Sequence, residues 1–365
     1  MAAGGQGIRA APLSQWRRLL LALAAPLLLG LLLDRLFPPP LPGGGGASVV
    51  LAADGTPLRA FPGQDGVWRY PVAPDEVSPL YLEALLGYED RWFRHHGGVN
   101  PLALARAAWQ RLRHGRVVSG GSTLSMQVAR ILEPHPRTFG GKLRQALRAI
   151  QLEWRLDKDE ILALYLNHAP FGGTVEGVEA ASWAYLGKSA RELSRAEAAL
   201  LAVLPQAPSR LRPDRHPDAA RLARDKVLAR LAAQGDWDEA AVAAARIEPV
   251  VSRRLRPPMS AALLARRLHA QRPGQARITS TLDPELQRTL EARLAARFAH
   301  LPERSSAALL VVDNATLEAR AYVGSLEFGD PRRLGHVDMV QAVRSPGSTL
   351  KPFLYGLAID DGLVH

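Results

Sequence analysis

The apolar positions along this chain change their spacing several times. An uncharged, leucine-rich run extends from Leu19 to Leu33. Between Val49 and Arg59, β-like segments on either side of an Asp54-Gly55 turn predict a hairpin. From Ser78 to about residue 250, apolar residues recur at the three- and four-residue intervals of helices. The pattern predicts a mainly α-helical protein that is preceded by an apolar segment.

The leucine-rich run predicts an N-terminal transmembrane helix. A span needs about 20 apolar residues; this run is shorter, but flanking arginines can extend their side chains to the interface. Basic residues precede the run, which favours a cytoplasmic N-terminus. A cleaved signal peptide is the alternative, although the residues after Leu33 form a poor cleavage site. We expect a cytoplasmic tail over 1–18 and a single-pass anchor over 19–37.

The rest of the chain divides into two predicted domains. Residues 38–48 are rich in proline and glycine and form a linker. The helical region 49–250 forms the first domain, and an arginine-rich stretch over 251–277 connects it to the second, which covers 278–365. The elements predicted in the second domain are a helix from Asp283-Pro284, a strand pair of Ala307–Val312 with Glu318–Val323, and a helix near Ser348.

Charge and composition narrow the kinds of partner. The 365 residues carry a formal net charge of +11 with a pI of about 10.5, which suits phospholipid headgroups or a pyrophosphate substrate. Nucleic acid is disfavoured, because the arginines are scattered through amphipathic helices and are not clustered with exposed aromatic residues. The chain has no cysteine, which excludes disulfides, thiolate metal sites and a cysteine nucleophile.

A carboxylate continues the apolar stripe of the first predicted helix. Ser78-Pro79 is a typical helix start, and Leu82, Leu85 and Leu86 mark the inward face. The next position on that face is Glu89. Partial burial at the edge of a cleft would raise the pKa of its carboxyl group and make it a stronger base. The alternative is a carboxylate that fraying of the helix end returns to water.

A glycine turn leads into a later helix. Gly120-Gly121-Ser122-Thr123 directly precedes the helical run Leu124–Leu132. Glycines let backbone N–H groups approach a ligand, and a helix N-terminus has unpaired donors and the positive end of the helix dipole. The arrangement suits a diphosphate, although an ordinary loop with a Ser or Thr cap has the same local sequence.

Several ordered motifs resemble the class A penicillin-binding proteins. The matches to their peptidoglycan glycosyltransferase domain are Glu89-Asp90-x-x-Phe93-x-x-His96-x-Gly98, the run Gly120 to Gln127, the stretch Gly141 to Gln145, Lys158 to Asn167, and Pro205 to Ser209. The resemblance implies a lysozyme-like helical glycosyltransferase domain with a membrane-facing lobe. It also implies that the partial start of an α/β transpeptidase domain follows.

The resemblance assigns roles by position. It makes Glu89 the general base that removes the proton from the 4-hydroxyl group of the acceptor sugar. It makes the cations of the third motif the groups that hold the pyrophosphate leaving group. The residues that it places at the substrate are Asp90, Phe93, His96, Gly120, Gly121, Ser122, Thr123, Gln127, Arg137, Lys142, Gln145, Lys158, Tyr165 and Asn167.

The third motif departs from the family pattern. The family has Arg-Lys-x-x-Glu, whereas this chain has Gly141-Lys142-Leu143-Arg144-Gln145. An amide cannot carry negative charge or bind a metal as a carboxylate does. Arg144 could supply the missing cation from a neighbouring turn. No residue is predicted as a metal ligand, and a divalent cation, Mg2+ or Mn2+, stays an open cofactor for glycosyl transfer.

Ser348 and Lys351 lie three residues apart at a predicted helix start, on one face of the helix. There the helix dipole lowers the pKa of the lysine and stabilises an alkoxide, which activates a serine for acyl transfer. The spacing alone is equally typical of an ordinary cap. The pair resembles the first motif of penicillin-binding transpeptidases and would be catalytic. The family's Ser-x-Asn and Lys-Thr-Gly motifs do not occur before His365, so we expect an incomplete domain that penicillin does not acylate.

These features predict a peptidoglycan glycosyltransferase of the cytoplasmic membrane, with its catalytic domains outside the cytoplasm. The expected partners are lipid II, the growing glycan chain, membrane lipid and other cell wall synthesis proteins, and no nucleic acid. One alternative is a catalytically weakened glycan-binding or scaffold protein, because Gln145 replaces a carboxylate. Another is a lysozyme-like glycan hydrolase, which has a catalytic glutamate but needs neither the glycine turn nor Lys142.

Overall fold

We describe the protein from a computed structural model. The structure describes residues 34–42, 46–114, 121–136, 138–250, 255 and 257–364, together with positions 24, 28, 30 and 32. Within these ranges no helix is long and apolar enough to cross a membrane. The predicted tail over 1–18 lies outside the described residues, and so does much of the predicted anchor over 19–37.

The chain folds into two compact units. The first comprises Met1–Gly44 and Val72–Leu255, and the second comprises Gly45–Pro71 and Arg256–His365. Residues 49–71 were predicted to belong to the first domain, whereas the structure groups them with the second unit. The reason is strand pairing, because this hairpin is completed by a strand from the C-terminal part of the chain.

Helices make up most of the first unit. In chain order they are α1 (Pro79–Glu89), α2 (Pro101–His114), α3 (Leu124–Leu132), α4 (Phe139–Arg155), α5 (Lys158–His168), α6 (Val178–Tyr185), α7 (Arg195–Val203), α8 (Pro217–Gln234) and α9 (Glu239–Ile247). The second unit contributes α10 (Ala262–Gln271), α11 (Pro284–Arg297) and α12 (Lys351–Asp360).

The strands of the described chain form small sheets. They are β1 (Ser48–Leu51), β2 (Pro57–Phe61), β3 (Pro170–Gly172), β4 (Val175–Glu176), β5 (Arg277–Thr279), β6 (Leu309–Val312) and β7 (Ala319–Val323). In the first unit β3 pairs antiparallel with β4, and in the second β6 pairs antiparallel with β7. The remaining sheet has the order β2-β1-β5, in which β1 is antiparallel to β2 and parallel to β5.

Several predicted element boundaries are confirmed. Pro79 is the first residue of α1, although the hydroxyl of its N-cap Ser78 donates to a distant carbonyl and does not cap the helix. The helix α3 covers the predicted run Leu124–Leu132. The Ser-x-x-Glu spacing of Ser194 and Glu197 predicts a capping box at the start of α7, and each of these side chains accepts the other's backbone N–H. The predicted hairpin, the helix after Asp283 and the strand pair β6–β7 are also present.

The core of the first unit positions the C-terminal end of α1. Every residue of α7 from Ala198 to Val203 is buried, and α7 packs against α1 and α8. α1 also approaches α8 closely at Gly87, where a Cβ atom would lie 2.6 Å from Leu231 Cδ2. Because α1 is fixed on two sides, its last residue, Glu89, has a defined place in the fold.

The apolar stripe of α4 faces outward. The apolar spacing predicts one stripe of Leu143, Leu147, Ile150 and Trp154. Leu143, Leu147 and Trp154 are each more than half exposed, and Ile150 is partly buried. The buried residues of α4 are Gln145, Ala149 and Leu152. An exposed apolar stripe on a helix is unusual for a soluble surface and indicates contact with another apolar phase or partner.

In the second unit a small core lies under the β2-β1-β5 sheet. It is built from Val50 and Leu58 of the hairpin, Ile278 of β5, and Leu264 and Ala265 of α10. α10 lies within the stretch 251–277 that was predicted as a connection, and β5 begins at its last residue, Arg277. The Ala/Leu face of α10 explains the difference, because it covers the sheet despite the arginines on its other face.

Candidate active site

A cleft of about 1460 Å3 opens in the first unit. Its walls are formed by the C-terminal end of α1, the start of α2, one face of α3, the turn after α7, and the end of α8. Of the residues that the sequence predicted at the substrate, those that line this cleft are Glu89, Asp90, His96, Ser122, Thr123, Gln127, Gln145 and Tyr165.

Two amides hold the carboxylate of Glu89 in this cleft. Gln127 Nε2 donates to Glu89 Oε2 at 2.7 Å, and Gln206 Nε2 donates to Oε1 at 2.6 Å. Burial raises the pKa of Glu89, while the hydrogen bonds from Gln206 and Gln127 and the charge of Arg230 oppose that rise. The result is an oriented carboxylate with a raised pKa, as a general base requires.

Two buried tyrosines form the wall behind Glu89. The hydroxyl groups of Tyr81, on α1, and Tyr165, on α5, have no hydrogen-bond partner within the described residues. Burial raises the pKa of both hydroxyls, and the negative charge of Glu89 raises it further. Both tyrosines therefore stay neutral, and the low polarity of this wall contributes to the desolvation of Glu89.

Asp90 joins the end of α1 to the start of α3. Asp90 Oδ2 accepts the backbone N–H of Leu124 at 2.8 Å and lies 2.9 Å from His96 Nε2. Beside it, the Thr123 hydroxyl donates to the Gly98 carbonyl at 2.5 Å. Asp90, His96 and Gly98 belong to one sequence motif, and together they fix the N-terminus of α3 next to Glu89.

Lys142 and Gln145 form a second group beside the start of α3. Lys142 Nζ donates to the Ser122 hydroxyl and, at 3.0 Å, to Gln145 Oε1. Gln145 is 4% exposed, and its Nε2 donates to the Met126 carbonyl at 2.5 Å. Burial lowers the pKa of Lys142, and the like charge of Arg130 lowers it further. The N-terminus of α3 with Lys142 beside it is suited to an anionic group.

Comparison with known proteins agrees with this arrangement. The family model described as Transglycosylase matches residues 54–232. Penicillin-binding protein 1C of Escherichia coli (strain K12) is 58% identical over 345 residues, which cover 94% of this chain and 45% of the relative. Penicillin-binding protein 1A of Aquifex aeolicus is 43% identical over 46% of this chain and 23% of the relative, and penicillin-binding protein 1F of Bacillus subtilis is 30% identical over 80% and 43%.

The chain belongs to the class A penicillin-binding proteins. It contains their transglycosylase domain, a peptidoglycan glycosyltransferase domain. It spans less than half the length of the three relatives named above.

Some of the residues predicted at the substrate of this class A protein are placed behind the cleft wall. Lys158 Nζ donates to Glu153 Oε1 at 2.7 Å and to the His96 carbonyl at 2.6 Å, and it lies 4.6 Å from the centre of the Phe93 ring. Asn167 Oδ1 accepts the backbone N–H of Val72, and Asn167 Nδ2 donates to the Val72 carbonyl. Lys158, Phe93 and Asn167 thus support the site in the described structure and do not line the cleft.

The remaining predicted residues fall elsewhere. Gly120 and Arg137 lie outside the described residues, and Gly121 lies in the irregular stretch before α3. Ser348 lies in a short turn and Lys351 begins α12, both exposed and both in the second unit.

Gln206 and Arg230 were absent from the predicted site. Gln206 could have been suspected, because it is the one polar residue between Pro205 and Pro208 after an apolar helix. Arg230 gave no such signal. It lies on α8, lines the cleft, and stacks over the Tyr88 ring at 5.2 Å.

The described residues do not fit a metal at the third motif. No three His, Asp or Glu side chains come together as a metal site in the described part of the chain. At the position of the family's second carboxylate, both amide atoms of Gln145 are bonded to protein groups.

Proposed function

We propose that this cleft polymerises peptidoglycan glycan strands from lipid II. The 4-hydroxyl oxygen of a lipid-linked disaccharide attacks the anomeric carbon of the growing glycan. A new glycosidic C–O bond forms as the bond from that carbon to the lipid diphosphate breaks. Glu89 takes the hydroxyl proton, and the lipid diphosphate leaves with the electron pair of the broken bond.

The observation that carries this proposal is that Glu89 lines the same cleft as Ser122, whose hydroxyl accepts a hydrogen bond from Lys142. Gln127, which orients Glu89, lies in the same helix whose N-terminus is flanked by Ser122 and Lys142. α3 thus holds the proton acceptor and the site of the leaving group at a fixed distance from each other. Such fixed positioning of reacting groups accounts for a large part of the rate in glycosyl transfer.

Glu89 suits the role of general base for two reasons. Its raised pKa strengthens it as a proton acceptor. The two amides from Gln127 and Gln206 hold it without supplying a charge that would neutralise it. A base at the wall of a partly apolar cleft takes a proton from a poorly acidic sugar hydroxyl more readily than one in water.

The diphosphate would lie at the start of α3. The Ser122 hydroxyl and the ammonium group of Lys142 are the donors there, since the first-turn N–H groups of Leu124 and Met126 already donate to Asp90 and Thr123. Arg130 lines the same cleft. These groups stabilise the negative charge that develops on the leaving oxygen as the glycosidic bond forms.

The relatives suggest a place in the cell envelope, and several features support attachment to the cytoplasmic membrane. The predicted anchor over 19–37 would hold the N-terminus in the cytoplasm and the catalytic unit outside it. The exposed stripe of Leu143, Leu147 and Trp154 suits contact with acyl chains, and the net charge of +11 suits anionic headgroups. Other cell wall synthesis proteins are proposed as further partners.

The second unit is proposed to be the start of a transpeptidase domain. Ser348 would be its nucleophile and Lys351 the group that activates it. Both residues are exposed, together with the apolar face of α12, including Phe353 and Leu354.

Polymerisation of purified lipid II by the full chain tests the proposal. The parent should produce glycan polymer, and Glu89→Gln should lower the rate by about 100- to 10,000-fold, the usual contribution of a general base. Gln is matched in size, so the variant should keep the melting temperature near that of the parent.

The two alternative functions give different products. A glycan hydrolase would shorten preformed glycan without making polymer. A binding or scaffold protein would retain glycan and make no polymer, whether or not Glu89 is present. Polymer formation at the parental rate by Glu89→Gln would refute the assignment of the base.

A further inference from the structure

One face of α4 binds the last residues of the predicted anchor, 34–37. Arg155 donates from Nε and Nη2 to the two carboxylate oxygens of Asp34, at 3.0 and 2.8 Å, and from Nη2 to the Asp34 carbonyl at 3.0 Å. Arg148 Nη1 donates to the Phe37 carbonyl at 2.6 Å. Between them, Gln151 Nε2 donates to Asp34 Oδ1 at 3.3 Å and to the Phe37 carbonyl at 3.2 Å.

These contacts form a built surface. Residues 148, 151 and 155 recur at intervals of three and four, so they lie on one face of α4. On the next turn, the Trp154 ring packs close to Gly30, where a Cβ atom would lie 3.3 Å from it. We call the face of Arg148, Gln151, Trp154 and Arg155 the α4 dock.

The chemistry of the dock matches the end of a helix. Residues 34–36 are helical and residue 37 is not. The carbonyls of Asp34 and Phe37 therefore lie at the C-terminal end of the helix, where carbonyls have no intrahelical partners. Two arginines supply donors to these carbonyls and place positive charge at the negative end of the helix dipole. The bidentate Arg155–Asp34 pair adds a directional contact that a single-point ion pair lacks.

The dock is connected to the active site through α4 itself. Lys142 and Gln145 lie in the first turns of the same helix. Arg148 also donates to Glu133 at 2.7 Å, and Glu133 is the C-cap of α3. The segment 34–37 is thereby tied to both helices that form the anion site.

We propose that the α4 dock holds the end of the chain's own anchor helix and so fixes the angle at which the catalytic cleft meets the membrane. The role in catalysis rests on the proposed function, since it concerns a substrate carried by lipid. The contact itself does not, and the two parts are tested separately.

Cross-linking tests the contact. Because the chain has no cysteine, Asp34→Cys with Arg155→Cys gives the full chain two defined thiols. A short bis-maleimide should link the two thiols in membranes. When the chain is then cut between residues 34 and 155, the two fragments should stay joined on a denaturing gel. Asp34→Cys with Arg144→Cys is the matched control, because residue 144 lies about 16 Å from residue 155 along the helix. Links in both pairs, or in neither, would overturn the dock.

Charge reversal tests the consequence. Asp34→Arg and Arg155→Asp should each lower polymerisation in lipid vesicles roughly ten-fold, the size expected for loss of a bidentate charged contact. The double variant restores opposite charges and should recover most of the rate. Arg221→Asp, on the exposed face of α8, is the control and should match the parent.

Each outcome decides the proposal. Single variants at the parental rate, or a double variant no better than either single one, would overturn the coupling between dock and cleft. If the parent itself makes no polymer, the proposed function fails, while the cross-link still decides whether the dock exists.

Discussion

Gln145 gives the sharpest test of how this site differs from its family. The family pattern has glutamate here, and the obvious expectation is that Gln145→Glu restores activity. The structure predicts the opposite. Gln145 donates to the Met126 carbonyl and accepts from Lys142, and a carboxylate can make only the second of these bonds.

The size of the effect follows from these two bonds. Loss of the amide donor to the Met126 carbonyl, which then faces a carboxylate oxygen, costs about 1–3 kcal/mol, and the new charged bond to Lys142 returns a similar amount. Stability should therefore change little. Activity should change more, because the introduced carboxylate would neutralise the ammonium group that is otherwise available to the diphosphate. Loss of one charge-assisted contact of roughly 1.5–3 kcal/mol corresponds to about a 10- to 100-fold fall in kcat/KM.

The assay is polymerisation of lipid II with kcat/KM measured beside the melting temperature. Gln145→Met is the matched control, since it keeps the volume and removes both hydrogen bonds without adding charge. We expect the methionine variant to lower the melting temperature at least as much as the glutamate variant and to lower kcat/KM less. If Gln145→Glu is as active as the parent, or if Gln145→Met is the more damaging change, the electrostatic reasoning is wrong.

Further predictions concern the base and the backbone around it. Burial raises the pKa of Glu89 and Arg230 opposes this, so Arg230→Gln should raise that pKa further. Because the base works only when deprotonated, the acid limb of the pH profile of kcat/KM should then move to higher pH. Arg91 also lines the cleft but pairs with Asp236, so the control variant Arg91→Gln should leave the acid limb in place. Gln206→Leu removes a donor to Glu89 Oε1 and should move the limb in the same direction while lowering kcat; an unmoved limb would contradict the assignment of Glu89. Gly98→Ala should lower the free energy of unfolding by about 2–4 kcal/mol in denaturant titrations, because φ is +88° and the new Cβ would lie 2.7 Å from the Ala149 carbonyl. Gly97→Ala meets nothing within 4 Å and should change it by less than about 1 kcal/mol.

The sequence was informative wherever a local signal fixes the structure. The capping box of Ser194 and Glu197, the Asp54-Gly55 turn and the boundaries of α3 depend on neighbouring residues, and all are present. The pairing of β1 with β5 was missed, because it joins residues more than 220 positions apart and has no local signature. This missed contact moved residues 49–71 from one unit to the other.

The same limit applies to the site. Glu89 was singled out by a polar position on an apolar stripe, and its role as the base came from the resemblance of its motif; both are local signals. Its partners are distant in sequence: Gln127 lies on α3, Gln206 in the turn after α7, and Arg230 on α8. Only the packing of these elements around α1 makes them neighbours, and periodicity carries no information about that packing.

The exposed stripe of α4 shows why periodicity alone cannot assign a face to the core. Apolar spacing marks a face that avoids water, but it does not say whether protein or another apolar phase covers that face. In α4 the buried face instead carries Gln145, whose amide is fully bonded. A buried polar residue opposite an exposed apolar stripe is the combination expected for a helix that meets its substrate site on one side and a lipid surface on the other.

Activity and stability are coupled in this fold through α1. Glu89 is the last residue of a helix held between α7 and α8, and the approach at Gly87 leaves no room for a side chain. A shift of α1 would move Glu89 away from both of its amide donors at once. The orientation of the base therefore depends on the packing of helices that touch no substrate, which is why changes at that interface should impair polymerisation before they unfold the unit.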